Sequence, residues 1–162
     1  IGHGAFNDCQ SLESVVLPNR LSKLSSSMFN YCHQLKSIDI PQSVTVIEDG
    51  ALYMCESLSE IIVPDGVESV EGRAFAGCKN LETITFGRSV NKIGYSALAW
   101  CKKLQSIYIR ATVPPTLEPH LFKDPDDGVP DVTIYVPMES VDEYKTSESW
   151  SRYSDRIEGY EI

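Results

Sequence analysis

Apolar residues recur along the chain with a constant period of 23 residues. The cysteines show this period most plainly, because each lies 23 residues after the one before it: Cys9, Cys32, Cys55, Cys78 and Cys101. Each cysteine can be placed in a block that begins eight residues before it, at Ile1, Leu24, Ile47, Val70 and Ile93. When these blocks are aligned, eight columns are apolar in every block. All 40 of these positions are apolar, although only 42% of the chain is hydrophobic. A fixed period of this length predicts a stacked repeat rather than an ordinary globular core.

Each block predicts a short strand and a tight turn. In the stretch Leu-x-x-Ile-x-Leu/Ile/Val the last two apolar residues lie two apart, as in a strand with one buried face. Pro18, Pro41 and Pro64 follow this stretch and end the strand, because proline cannot donate to a ladder. A second apolar pair, such as Val44 and Ile47, predicts a second short strand on the opposite wall. The Ala-Phe-x-x-Cys segment spaces apolar residues three apart, which predicts one helical turn.

One block cannot bury its own apolar face, so neighbouring blocks must stack. We therefore predict an α/β solenoid of five 23-residue turns with a parallel β-sheet on one face, short helical turns or second short strands opposite, and a C-terminal α/β cap. The predicted division is a solenoid over residues 1–115 and a capping segment over residues 116–162. No cap precedes the first block, so we expect the solenoid to be truncated at its N-terminus.

The segment after Val113 departs from the repeat and predicts the cap. Three prolines mark the change, and residues 116–131 indicate a loop rich in Pro, Asp and Gly. Residues 132–136 predict a strand, and residues 138–145 predict a short helix that begins after Pro137. Three large apolar residues are expected to cover the last solenoid turn: Trp150, Tyr153 and Ile157.

The cysteines fit a structural role better than a chemical one. Their spacing matches no C-x-x-C zinc pattern. Equivalent Cβ atoms in stacked turns lie ~4.8 Å apart, beyond the ~3.8 Å usual for a disulfide. We therefore expect buried thiols that act as small apolar side chains. The chain also lacks a P-loop, a dinucleotide glycine fingerprint and a G-x-S-x-G elbow, so no cofactor is expected.

The acidic loop Asp124–Asp131 is the strongest candidate for a metal site. Its aspartates place several carboxylate oxygens in a tight turn, which is the ligand type that calcium prefers. The spacing departs from an EF-hand, because glycine lies at the fifth place and no glutamate follows at the twelfth. A solvated acidic turn remains the alternative.

Charge is distributed unevenly between the two parts of the chain. Residues 1–115 carry 10 basic and 11 acidic residues, whereas residues 116–162 carry 4 basic and 12 acidic residues. The net charge of −9 disfavours nucleic acid and anionic lipid as partners, because both require a basic surface. No apolar run approaches the ~20 residues of a membrane span, so direct insertion of this chain into a membrane is not expected.

The outward side of the predicted strands is the candidate working surface. Residues between the inward columns face solvent there. The candidate binding residues are Val16, Asp39, Glu60, Ile62, Thr85 and Tyr108. Exposed apolar side chains beside carboxylates can anchor a partner, but β-branched residues also occupy exposed strands by propensity alone. Five short strands offer roughly 190 to 240 Å², less than the ~800 Å² that a standard interface buries on each partner.

The blocks IGHGAFNDCQSLESVVLP and VEGRAFAGCKNLETITF resemble the BspA-like leucine-rich repeats of bacterial cell-surface proteins. The resemblance covers residues 1–113, with mild departures such as Met28 for Ala and Leu52 and Leu98 for Phe. The tail is similar to the ends of such proteins from anaerobic gut bacteria. The resemblance implies a secreted or cell-surface location, as a lipoprotein tethered by an upstream segment, and an adhesive role.

These patterns favour a non-catalytic binding module. We expect a monomer that recognises a host or bacterial surface protein or a glycan through the strand face. One alternative is a structural spacer that presents another domain away from the cell surface. A further alternative is a hydrolase that uses carboxylates of the cap, although no acid and base pair can be placed from the sequence.

Overall fold

The structure, a computed structural model, describes residues 1–122 and 130–161. Rungs 1 to 5 are the 23-residue blocks 1–23, 24–46, 47–69, 70–92 and 93–115. The strands are β1 (Lys23–Leu24), β2 (Val46–Ile47), β3 (Glu60–Ile62), β4 (Ser69–Val70), β5 (Thr83–Phe86), β6 (Lys92–Ile93), β7 (Ser106–Ile109), β8 (Thr116–Leu117), β9 (Thr133–Pro137) and β10 (Ile157–Tyr160). The helix α1 spans Val141–Thr146, and 3₁₀ helices span Met138–Ser140 and Ser151–Arg156.

Two parallel sheets form opposite walls of a solenoid. The narrow sheet contains the two-residue strands in the order β1-β2-β4-β6-β8. The broad sheet contains the longer strands in the order β3-β5-β7-β9-β10. Equivalent residues of successive rungs pair directly, as Ile61 does with Ile84 and Ile84 with Ile107. The predicted stack of 23-residue turns with a parallel sheet and a second set of short strands is confirmed.

The apolar columns form one continuous core along the stack. The leucine column illustrates this, because Leu35, Leu58 and Leu81 are fully buried. The thiols of rungs 2 to 5 are buried as well, whereas Cys9 is exposed because rung 1 has a neighbouring rung on one side only. Val113, which was assigned to an inward column, is 67% exposed. That assignment was wrong, since β8 pairs with β6 at an offset of 24 residues instead of 23, so one extra residue between β7 and β8 shifts Val113 out of the column.

The Ala-Phe-x-x-Cys segments form successive turns, not the predicted helical turn. Each contains bonds between residues three apart, such as Cys32 N to Phe29 O at 3.1 Å. Two positions in each rung have a positive φ, which a right-handed helix excludes. The first position is Gly4, Ser27, Gly50, Arg73 and Ser96, and the second is Asp8, Tyr31, Met54, Gly77 and Trp100. The left-handed residues turn the chain sharply between the two walls.

The C-terminal segment completes the stack as predicted in outline. Trp150 is fully buried and its indole donates to Pro115 O at 2.7 Å, while the Tyr144 hydroxyl donates to Ala111 O at 2.8 Å. Both sheets also run past residue 115, because β8 pairs with β6 and β9 pairs with β7. The domain division at that residue therefore stays a prediction. Among the described residues, no helix has the length and apolar character needed to span a bilayer.

Candidate functional site

The strand face is the outward side of residues 14–17 and 37–40 and of β3, β5, β7 and β9. Burial alternates along these strands, so every second side chain is turned outward. The six candidate residues all lie on this face. Val16 is 97% exposed and Ile62 is 49% exposed, and both Asp39 and Glu60 are exposed. Thr85 and Tyr108 are half-buried.

The backbone ladder of the strand face runs from β10 to β3 and ends there, because the strands predicted in rungs 1 and 2 do not form: residues 14–17 and 37–40 are extended chain without strand pairing. At the junctions other than that of rungs 2 and 3, an amide donates to its equivalent one rung earlier: Lys36 N to Glu13 O at 3.0 Å, Glu82 N to Ser59 O at 2.8 Å, and Gln105 N to Glu82 O at 2.9 Å. The corresponding bond from Ser59 to Lys36 is absent, and no backbone bond joins residues 36–41 to residues 59–64 in the described chain. The strand β3 is therefore an edge strand, although rung 2 lies beside it.

The missing pairing between rungs 2 and 3 is confined to this wall. On the narrow sheet, Glu68 N donates to Thr45 O at 2.8 Å across the same junction. In the turns, Phe29 N donates to Ala51 O at 2.8 Å. Rungs 2 and 3 are thus held together on two sides and separated on the third.

The separation leaves a groove of about 410 Å³ on the strand face. Its walls include Ser37 and Asp39 from rung 2 and Glu60 and Ile62 from rung 3. Three of the six candidate residues are thereby brought together: Asp39, Glu60 and Ile62. The other three candidates, Val16, Thr85 and Tyr108, lie outside the groove.

Electrostatic pairing further distinguishes the groove. Five close ion pairs lie elsewhere on the solenoid: Lys36 with Glu13 at 2.6 Å, Lys23 with Glu48 at 2.7 Å, Lys79 with Glu56 at 2.7 Å, Lys92 with Glu71 at 2.8 Å, and Arg73 with Asp49 at 3.1 Å. The hydrogen bond from Lys23, together with the amide of Ser26, lowers the pKa of Glu48. In the described part of the chain, neither Asp39 nor Glu60 forms an ion pair. The groove therefore carries two carboxylates that remain available to a partner.

The far end of the strand face carries an aromatic cluster. Tyr108 stacks on Tyr135 with ring centroids 4.7 Å apart. Tyr160 forms a T-shaped contact with Tyr108, with ring centroids 5.4 Å apart. The Tyr160 hydroxyl also lies 3.5 Å from Ile109 O, to which it donates. Sequence periodicity identified Tyr108 but missed the other two, because Tyr135 and Tyr160 lie beyond the regular repeats. Tyr108 is thus a packed side chain, and its removal is expected to reduce stability as well as alter the surface.

A second cavity of about 260 Å³ lies over the turns of rungs 2 to 4. Its walls include Tyr31, Tyr53 and the ion pair between Arg73 and Asp49. The Tyr95 hydroxyl also donates to Asp49, at 3.3 Å. The apolar columns carried no signal for this cavity, although its lining is itself periodic: Ser27, Gly50 and Arg73 are equivalent positions, as are Asn30 and Tyr53. The internal pairing leaves its carboxylate and guanidinium already satisfied.

The carboxylates of the cap were the candidates for a calcium site and for hydrolysis. The proposed calcium loop falls largely on residues 123–129, which lie outside the described residues. Among the described residues, no group of three His, Cys, Asp or Glu side chains is arranged to hold a metal ion. Glu118 accepts from the Tyr95 amide and from Lys92, and these bonds lower its pKa. A carboxylate held in its charged form by such bonds suits an ion-pair role rather than that of a general acid.

A family comparison identifies the repeat. The profile of the BspA type leucine-rich repeat region matches residues 1–125 in 6 copies. The match covers the five rungs and extends past β8, in agreement with the continued pairing of the narrow sheet. No curated protein sequence matches the chain significantly.

Solved structures with the same fold come from several bacteria. The pneumococcal vaccine antigen PcpA matches with a TM-score of 0.72 and 23% identity, over 99% of this chain and 38% of that chain. The T. pallidum leucine-rich repeat protein TpLRR matches with a TM-score of 0.67 and 21% identity, over 99% of this chain and 78% of that chain. A leucine-rich repeat protein from Eubacterium ventriosum matches with a TM-score of 0.68 and 26% identity, over 80% of this chain and 33% of that chain.

Proposed function

Because the chain belongs to the BspA-type leucine-rich repeat family, we propose that it is a non-catalytic binding module that recognises a protein or a glycan through its strand face. One observation carries this proposal. The strand face presents exposed side chains that the fold does not use, from Val16 in rung 1 to Ile62 in rung 3. Both apolar side chains stand on the same side as the unpaired carboxylates of Asp39 and Glu60.

The chemistry of this surface favours a partner that combines apolar and basic or hydroxyl groups. Exposed apolar side chains lose unfavourable contact with water when a partner covers them. The nearby carboxylates accept hydrogen bonds and favour positive charge. The strand β9 and its Tyr135 extend the face by one strand beyond the five repeats, which increases the area available for contact.

We further propose that the chain is a monomer that acts at the cell surface or outside the cell. The location rests on the family resemblance to bacterial surface proteins. The chain spans 38% of PcpA and 33% of the Eubacterium ventriosum protein, so it corresponds to part of such longer proteins.

A binding screen followed by substitution tests this function. The purified chain is screened against arrays of bacterial and host surface proteins and polysaccharides, and the affinity for each bound ligand is measured by calorimetry. Val16→Arg and Thr85→Arg place a large cation on the strand face outside the groove. Asn91→Arg is the matched control, because Asn91 is exposed near the narrow sheet. We expect the first two to weaken binding at least about tenfold, since they obstruct the contact surface.

Three results would contradict the proposal. Unchanged affinity in both strand-face variants, with a loss in Asn91→Arg, would assign binding to the opposite wall. Absence of binding to every member of the arrays would favour the spacer alternative. Turnover of a bound polysaccharide would instead indicate the hydrolase.

A further inference from the structure

The groove between rungs 2 and 3 contains a free strand edge. The strand β3 ends the broad sheet and pairs with β5 alone. Val63 N donates to Thr85 O at 2.8 Å, so the backbone groups of Val63 face β5. Successive residues of a strand direct their N–H and C=O groups to opposite sides. The backbone groups of Ile62 and Glu60 therefore face the groove, where no described segment pairs with them.

The inner side of the groove is apolar. Ile38 and Ile40 of rung 2 are inward-facing residues that line it, and they retain 8% and 7% of their exposure. Their equivalents in rung 3, Ile61 and Val63, are fully buried. Ile38 and Ile40 therefore form the apolar floor of the groove, within reach of a side chain that points inward from it.

The outer side of the groove is acidic. The carboxylates of Asp39 and Glu60 lie on opposite walls, and neither has an ion-pair partner among described residues. Lys36 is the one cation among the groove residues, and its ammonium group already lies 2.6 Å from Glu13. A bound segment with basic side chains on this side would supply the missing counter-charge.

From these observations we propose that an extended peptide, in which apolar and basic side chains alternate, binds in the groove by adding a strand to the free edge of β3. This inference rests on the proposed function and names the class of partner. The peptide backbone pairs with Glu60 and Ile62. Since strand side chains alternate between two sides, the apolar ones contact Ile38 and Ile40 while the basic ones face Asp39 and Glu60.

A second copy of the chain fits the groove less well than a basic peptide. The other free edge of the broad sheet is β10, which carries Glu158. That side chain would approach the carboxylates of Asp39 and Glu60, and like charges repel. The chain also carries a net charge of −9, which opposes self-association.

Synthetic peptides test the proposal directly. The probes are fluorescein-labelled, end-capped hexapeptides in which valine alternates with lysine, valine alternates with glutamate, or valine alternates with lysine and every second amide is N-methylated. Fluorescence anisotropy measures their affinity for the complete chain. We expect the lysine peptide to bind, and the glutamate and N-methylated peptides to bind at least about tenfold more weakly, since they lose charge pairing or backbone bonds.

Variants of the protein locate the site. Ile62→Pro removes an N–H that faces the groove and does not pair with β5, a position where an edge strand tolerates proline. Ile62→Ala is its control for the lost side chain. Asp39→Asn combined with Glu60→Gln removes both charges, and Glu82→Gln is the control one rung away. We expect the proline variant and the double variant to lose about tenfold in affinity for the lysine peptide, and the controls to lose less.

Several results would overturn the strand-addition proposal. One is equal binding of the N-methylated and unmodified lysine peptides to the unaltered protein, which needs no variant to fold. Another is an equal loss in Glu82→Gln and in the double variant. A third is failure of every peptide to bind, or a concentration-dependent dimer that displaces the lysine peptide. Each of these results is compatible with weaker binding of an array ligand by Val16→Arg and Thr85→Arg. The strand-addition proposal can therefore fail while the proposed function holds.

Discussion

At the residue scale, the cysteine column contributes hydrogen bonds between rungs as well as packing. Each buried thiol donates to a carbonyl of the preceding rung: Cys32 to Phe6 at 3.1 Å, Cys55 to Phe29 at 3.2 Å, Cys78 to Leu52 at 3.4 Å, and Cys101 to Phe75 at 3.3 Å. The period predicted that these side chains are buried, but it carried no information on the hydrogen bonds. Each of these carbonyls also accepts a backbone N–H from its own rung, as Phe29 O does from Cys32 N, so the thiol is a second and weaker donor to the same oxygen.

Burial should make four of the five thiols unreactive in the folded protein. Desolvation raises the pKa of Cys32 to about 11 and that of Cys101 to about 12, and it also raises the pKa values of Cys55 and Cys78. The thiolate is the reactive form, so its population falls. We expect Ellman's reagent at pH 8 to modify one thiol per native chain, Cys9, which is exposed.

Mass spectrometry of the modified protein identifies the labelled residue. The unfolded chain in guanidinium chloride is the control and should yield five modified thiols. Rapid labelling of two or more cysteines in the native protein would contradict the stacked arrangement.

At the scale of elements, the sequence predicted the strands of rungs 3 to 5, the cap strand β9 and the cap helix, but it missed the conformation of the turns and the last strand. The strands β5 and β7 follow from columns with a period of two. The left-handed turns were mistaken for a helical turn, because non-glycine residues such as Tyr31 and Trp100 adopt a positive φ there without a sequence signal. The strand β10 was missed because it occurs once and follows no repeated pattern.

Close stacking of neighbouring turns predicts the effect of a single methyl group. A Cβ at Gly94 would lie 2.5 Å from the backbone carbon of Glu71 in the preceding rung. Gly94→Ala must therefore displace backbone, and we expect a loss of roughly 1–3 kcal/mol in the free energy of unfolding. Gly2→Ala is the matched control, because nothing lies within 4 Å of its added methyl group. Denaturant unfolding of both variants measures the difference, and equal stability would argue against the close stacking of rungs 4 and 5.

At the scale of the whole molecule, the narrow sheet and the turns join all five rungs, whereas strand pairing on the strand face begins only at rung 3. The aligned repeats treat every junction as equivalent, so they predicted the strand face but not its opening between rungs 2 and 3. The sequence differs at this junction in one respect. Rung 2 has Asp39, a residue type that is depleted in strands, at the position that Thr85 occupies in rung 4. As a result, three of the candidate residues line one groove: Asp39, Glu60 and Ile62.

Hydrogen exchange of the free protein, followed by NMR, tests this account most directly. The amides of Glu60 and Ile62 are the equivalents, one rung earlier, of those of Thr83 and Thr85. The amide of Thr83 donates to Ser59 O, whereas β3 has no partner on its groove side. We predict rapid exchange at Glu60 and Ile62 and slow exchange at Thr83 and Thr85. Equal protection at all four amides would show that the ladder is closed and would contradict the account.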